Sequence, residues 1–191
     1  MFPEEETNER RRRHQAAERR RRRWENNRAL TGEAGVAAAK EAALTILDRC
    51  DQSVSQCRSK LLERGFTDEV IDPALERLVE VGILDDERYA RSLVRARYAS
   101  RALVGRALKE ELRRKGLDPQ VIDLAMEAEL PEQLDTEMVD DLVQRKLLTL
   151  QQVEEEKQTR RIVSMLLRRG YSPAQAFASL SRVREKIEEG Q

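Results

Sequence analysis

The chain has 191 residues, of which 39% are hydrophobic and 38% charged, with 36 basic side chains balancing 36 acidic ones. So much charge leaves only thin hydrophobic cores, and no run approaches the roughly eighteen apolar residues a membrane span needs. A single histidine and two cysteines are too few for a zinc cluster or a Cys/His nucleophilic pair.

Residues 1–35 read as a disordered arginine-rich arm. Between Glu9 and Arg28 ten arginines face three glutamates, and Phe2, Trp24 and Leu30 are the only large apolar groups. Adjacent arginines repel, so order is expected only on a counter-charged partner, and the arm is a candidate nucleic-acid tether.

Residues 36–84 are expected to form a first three-helix repeat. Ala39, Ala43, Leu44, Ile46 and Leu47 give a helix over 38–50 its apolar side. Ser53 can cap a second helix that Gly65 stops. Asp68 opens a third, striped by Val70, Ile71, Leu75, Leu78 and Val79 and ended at Gly82. Cys50 and Cys57 flank the first turn; without a secretion signal they are expected to be reduced thiols in the cytoplasm.

Residues 85–131 make the second expected repeat. The carboxylates of Asp85 and Asp86 can cap a helix over 87–98, with Tyr89, Ala90, Leu93 and Val94 inward. A magnesium role for this acidic cluster is the less economical alternative. A helix over about 102–115 and another over 121–130, opened by Asp118-Pro119, complete the repeat. Residues 132–191 form the third, with Val139, Leu142 and Val143, then Val153, Ile162, Val163, Leu166 and Leu167, then Ala174, Phe177, Leu180 and Val183 as its stripes. Phe66, Tyr89, Tyr171 and Phe177 are expected in cores rather than as base-stacking platforms. No stretch alternates at a period of two, so the fold class is all-α.

One phrase recurs through the three repeats: Leu61-Leu62-Glu63-Arg64-Gly65-Phe66, Glu111-Leu112-Arg113-Arg114-Lys115-Gly116-Leu117 and Leu166-Leu167-Arg168-Arg169-Gly170-Tyr171. Its glycines lie 51 and 54 residues apart, a period that suits tandem units stacked along a line. Gly65, Gly82, Gly116 and Gly170 are expected as structural turns, as are Asp85 and Asp86. Between Asp85 and Lys115 ten basic residues face five acidic ones. Arg95, Arg97, Arg101, Arg106, Arg113, Arg114 and Lys115, with Arg88, Arg91, Arg168 and Arg169, are therefore candidate contacts to phosphates or acidic protein faces. Their surroundings predict that Arg95, Arg97 and Arg106 are exposed. No glycine-rich phosphate cradle or catalytic constellation is present, which points to a non-enzymatic protein without cofactor or metal. Three-helix units also occur in site-specific DNA readers, although no compact base-contacting face stands out.

The run Gly82-Ile83-Leu84-Asp85-Asp86-Glu87-Arg88-Tyr89-Ala90-Arg91 closely resembles the RecX regulatory proteins, as do Glu110 to Leu117 and Val121-Ile122. The resemblance covers about residues 38–183. It departs where family members open a helix with Gly-Pro, since Ala102-Leu103-Val104-Gly105 stands there. The resemblance implies three tandem three-helix repeats in an elongated, curved array. It also implies a regulator that binds the RecA recombinase and its nucleoprotein filament, mainly inhibiting ATP hydrolysis and strand exchange in DNA repair, recombination and the SOS response. Single- and double-stranded DNA would be contacted without sequence specificity, by a monomer that does not engage membranes.

Overall fold

A computed structural model describes residues 3–131 and 135–189; Phe2 and residues 132–134 of the third expected repeat lie outside them. All regular structure among the described residues is helical, in ten α-helices. The chain divides into two compact units, Met1–Asp86 and Glu87–Gln191.

The first unit corrects the expectation of a disordered arm, because Pro3–Arg28 is a helix, α1. Arginine is a good helix former. Ion pairs one turn apart, Arg13–Glu9 at 2.5 Å and Arg21–Glu25 at 3.0 Å, offset part of the repulsion between neighbouring arginines. Such exposed pairs contribute only a few tenths of a kcal/mol each, so the anchorage of α1 lies at its end. Asn27 donates its side-chain amide to the carbonyl of Arg64 at 2.8 Å. Trp24 lies against Gly65, where an added Cβ would come within 2.5 Å of the Trp24 carbonyl oxygen and 2.9 Å of its indole. The Arg28 guanidinium sits 5.8 Å from the centre of the same ring.

Three helices follow: α2 (Gly32–Leu47), α3 (Val54–Glu63) and α4 (Asp68–Glu80). α2 buries Val36, Ala39, Ala43 and Ile46 at helical spacing. Ser53 caps α3 in a reciprocal box with Gln56, which satisfies two backbone donors. The core of the unit gathers Leu61, Phe66, Ile71, Leu78 and Leu84. Val79, expected inward, is 46% exposed, since Leu75 and Leu78 already occupy the inner face of α4. Cys57 is fully buried in this core, which pushes its thiol up to about 11, and both cysteines are free.

The carboxylate of Asp86 points away from the role expected of it. It accepts the backbone N–H of Val54 at 2.9 Å and so holds the amino end of α3, 32 residues earlier. Burial raises the proton affinity of this group, and that hydrogen bond opposes the rise.

In the second unit α5 (Asp86–Arg101), α6 (Gly105–Arg114) and α7 (Pro119–Glu129) enclose Ala90, Val94, Leu108, Leu112 and Ile122. Asp118 caps α7 through the N–H of Gln120. The boundary between α5 and α6 is later than expected: α5 continues to Arg101 and α6 begins at Gly105, across a turn in which Ala102 has a φ of 48°. A non-glycine residue in the left-handed region is uncommon, and this turn stands where the sequence lacks Gly-Pro. The remaining helices are α8 (Thr136–Leu148), α9 (Glu155–Arg168) and α10 (Pro173–Glu189), packed around Val143, Ile162, Leu166, Tyr171 and Leu180. Phe177 is not in this core; it is 52% exposed because Ala176, Ser179, Leu180 and Val183 take the inner face of α10.

Gly65, Gly116 and Gly170 all have positive φ, as expected of helix-ending turns. Gly170 does more than end a helix. A Cβ there would lie 1.9 Å from the carbonyl oxygen of Val104, and the N–H of Val104 donates to the carbonyl of Arg169 at 2.9 Å. The turn after α9 is thus pressed onto the turn before α6, and only a residue without a side chain permits that approach.

Candidate polyanion-binding surface

Most of the sequence candidates lie on α5 and α6. Arg88, Arg91, Arg95 and Arg101 are exposed on α5, whereas Arg97 is half-buried. The Arg97 guanidinium is paired with Glu111 of α6, the two side chains being 25% and 13% exposed. This corrects the expectation of an exposed Arg97: it ties α5 to α6. Removing its charge would leave Glu111 unpaired in a largely dry setting.

Arg95 and Arg106 are exposed but engaged. Arg95 reaches Glu129 of α7 at 2.8 Å, and Arg106 pairs with Glu110 one turn along α6 at 2.7 Å. The hydrogen bond and charge of Arg106 hold the Glu110 carboxyl below its usual range. Solvent screens that fully exposed pair, so it stays available for exchange with another anion.

Arg91, Arg101, Arg113 and Arg114 are exposed and carry no salt bridge among the described residues. Arg113, Arg114 and the half-buried Lys115 end α6, where unsatisfied carbonyls favour cations. That local benefit needs only their proximity to the helix end and leaves the guanidinium donors of the two arginines facing water. In the third repeat Arg168 is exposed, while Arg169 donates its Nε to the carbonyl of Arg101 at 3.0 Å and so joins the turns around Gly170.

Sequence inspection missed four further cations. Arg145 and Lys146 of α8 and Arg160 and Arg161 of α9 line one cleft with Arg168 and Arg169. The signal was legible in principle, since the doublets Arg160-Arg161 and Arg168-Arg169 stand eight residues apart and therefore near one face of a helix. Chemically these surfaces offer fixed positive charge and multiple N–H donors, which match the oxygens of phosphate or carboxylate groups.

Over 152 residues the chain is 37% identical to the regulatory protein RecX of Thermobifida fusca, a match covering 80% of each protein. The chain belongs to the RecX family. Residues 39–78 match the first three-helix domain of RecX and residues 85–126 match the second. The regulatory protein RecX of Mycolicibacterium smegmatis is 37% identical over 147 residues, 75% of this chain and 78% of that one. RecX of Streptomyces coelicolor is 34% identical over 167 residues, covering 86% and 87%. The fold agrees with the crystal structure of RecX from Lactobacillus salivarius, with a TM-score of 0.67 at 19% identity across 78% of this chain and 96% of that one. No helix among the described residues is long and apolar enough to cross a membrane.

Proposed function

We propose that this RecX family member is a non-enzymatic regulator of the RecA recombinase, acting in the cytoplasm as a monomer. It binds the RecA nucleoprotein filament and restrains ATP hydrolysis and strand exchange, contacting single- and double-stranded DNA without reading sequence. The observation that carries this reading is the match to regulatory relatives over four-fifths of the chain. The unpaired surface arginines of α5 and α6 supply a physical means of holding an acidic protein face or a phosphate backbone.

Inhibition without catalysis follows from linkage. A protein that binds one filament state more tightly than the next stabilises the first by its differential affinity, and every turnover must then overcome that difference. Exposed arginines contribute contacts that are individually small and jointly sufficient.

The test is RecA ATPase on single-stranded DNA titrated with the full chain. The hydrolysis rate is expected to fall. Reversing Arg91, Arg113 and Arg114 together should raise the half-inhibitory concentration by about tenfold or slightly more, since three exposed contacts at ~0.5 kcal/mol each total ~1.5 kcal/mol. An unchanged rate at saturating protein overturns the proposal. Preference for one duplex sequence over the filament would instead establish a site-specific DNA reader.

A further inference from the structure

The third repeat segregates its charge across α8. On the side facing α10, Asp140 is buried among Ser179, Arg182 and Lys186, so carboxylate and cations satisfy one another. On the side facing α9 lies an open cleft of about 830 Å³ lined by the six cations Arg145, Lys146, Arg160, Arg161, Arg168 and Arg169. No carboxylate of the described residues lines it.

These cations are not consumed by the fold. Arg160, Arg161 and Arg168 are exposed and make no salt bridge or side-chain hydrogen bond among the described residues. Arg145 has only a loose contact, 3.7 Å from Asp141, with its side chain 78% exposed. Arg169 alone is spent on a backbone carbonyl. Six positive charges facing one cleft repel one another, and an occupant that neutralises several at once relieves that cost.

We infer that the cleft between α8 and α9 is a docking site for the sugar–phosphate backbone of duplex nucleic acid, gripped through phosphate oxygens without base contacts. From Arg160 to Arg168 the helix rises ~12 Å, a length over which each strand of a duplex presents roughly three to four phosphates. A single inorganic phosphate would engage only part of such a row. The lining contains no aromatic side chain among the described residues, so a single strand would gain none of the stacking that normally holds unpaired bases. An acidic protein partner is disfavoured because the apolar side chains of the lining, Leu142, Leu150 and Met165, are buried or half-buried, and no aromatic anchor of the kind that carries protein interfaces stands among the described lining residues. The inference rests on the proposed role as a DNA-contacting regulator and adds a specific element of the third repeat to it.

The experiment is binding of the full chain to a short labelled duplex of mixed sequence across a salt series, without recombinase. Arg160→Glu with Arg161→Glu is expected to weaken binding at least about tenfold at ~0.1 M salt. It should also reduce the slope of log affinity against log salt by roughly 1.8, as the loss of two phosphate contacts requires. The paired Arg160→Gln and Arg161→Gln changes should act in the same direction and less strongly, with an unaltered melting curve because neither arginine supports the fold.

Unchanged duplex affinity and slope in the reversed variant overturn the inference. So does a larger loss for poly-glutamate than for duplex, which would mark a carboxylate-binding protein site, or a larger loss for single strands. Because recombinase is absent, failure here leaves RecA regulation standing. Failure of the wild-type chain to alter RecA ATPase would remove that role while the duplex measurement still judged the cleft.

Discussion

Asp140 shows how one side chain can decide a helix pairing. Its side chain is 8% exposed and accepts from Ser179 Oγ at 2.6 Å and from Arg182 at 2.8 Å and 3.1 Å, with the Lys186 ammonium 3.5 Å away. Burial raises its proton affinity, but the hydrogen bonds from Arg182 and Ser179 and the two cationic charges outweigh this and hold the carboxyl below its usual range. A depressed folded value means that Asp140 contributes stability above the unfolded carboxyl value of ~3.9, and that the contribution is lost as pH falls through the folded value. Asp140→Asn should therefore cost about 1–3 kcal/mol near neutral pH and flatten the acid limb of stability below about pH 4. Urea unfolding across that range checks both; an acid limb identical to wild type would show that the network adds nothing. Arg97 carries the same lesson: along the chain it is one more cation in a basic helix, and only its distance from Glu111 separates it from Arg91.

Among the helices, those whose borders are written in local chemistry were the legible ones. Ser53 and Asp118 accept backbone N–H groups at the starts of α3 and α7, as anticipated, because a cap acts within three residues. α1 was not legible, since its anchorage depends on Gly65 and the Arg64 carbonyl, some 40 residues away. Gly65 has a φ of 95°, so Gly65→Ala should cost at least about 1–2 kcal/mol through backbone strain and should push Trp24 off the turn. Trp24 is the sole tryptophan, and its fluorescence should shift to the red. Asn27→Ala, which removes one hydrogen bond and a small half-buried side chain, should give a smaller shift with the fold retained. Emission unchanged in both variants would mean that α1 does not rest on the first repeat in solution.

Taken as a whole, a formally neutral chain holds strongly unbalanced regions, and its long-range behaviour follows the regions rather than the sum. α1 concentrates ten arginines between Glu9 and Arg28, all exposed, while the α8–α9 cleft collects six cations. Deleting residues 1–28 should reduce the salt dependence of duplex binding and leave most inhibition of RecA ATPase in place. Equal loss of both, measured side by side on one preparation, would place α1 inside the inhibitory contact. At ~0.15 M salt the Debye length is ~8 Å, so only cations brought that close to the backbone should register in the slope.

By itself the sequence determined an all-helical chain, the glycine turns at Gly65, Gly116 and Gly170, and the membership signalled around Gly82 to Arg91. Hydrophobic period, capping and left-handed stops act over one or two turns and are written in adjacent residues. Tertiary structure alone decided that α1 is helical, that Asp86 serves α3, that Arg97 ties α5 to α6, and that Phe177 faces outward. Each of those depends on which groups meet across distant stretches, and charge or apolarity in one position does not specify the partner that neutralises or covers it. The basic cleft belongs to the same class: its doublets are visible in the chain, but only the packing of α8 against α9 makes them one surface.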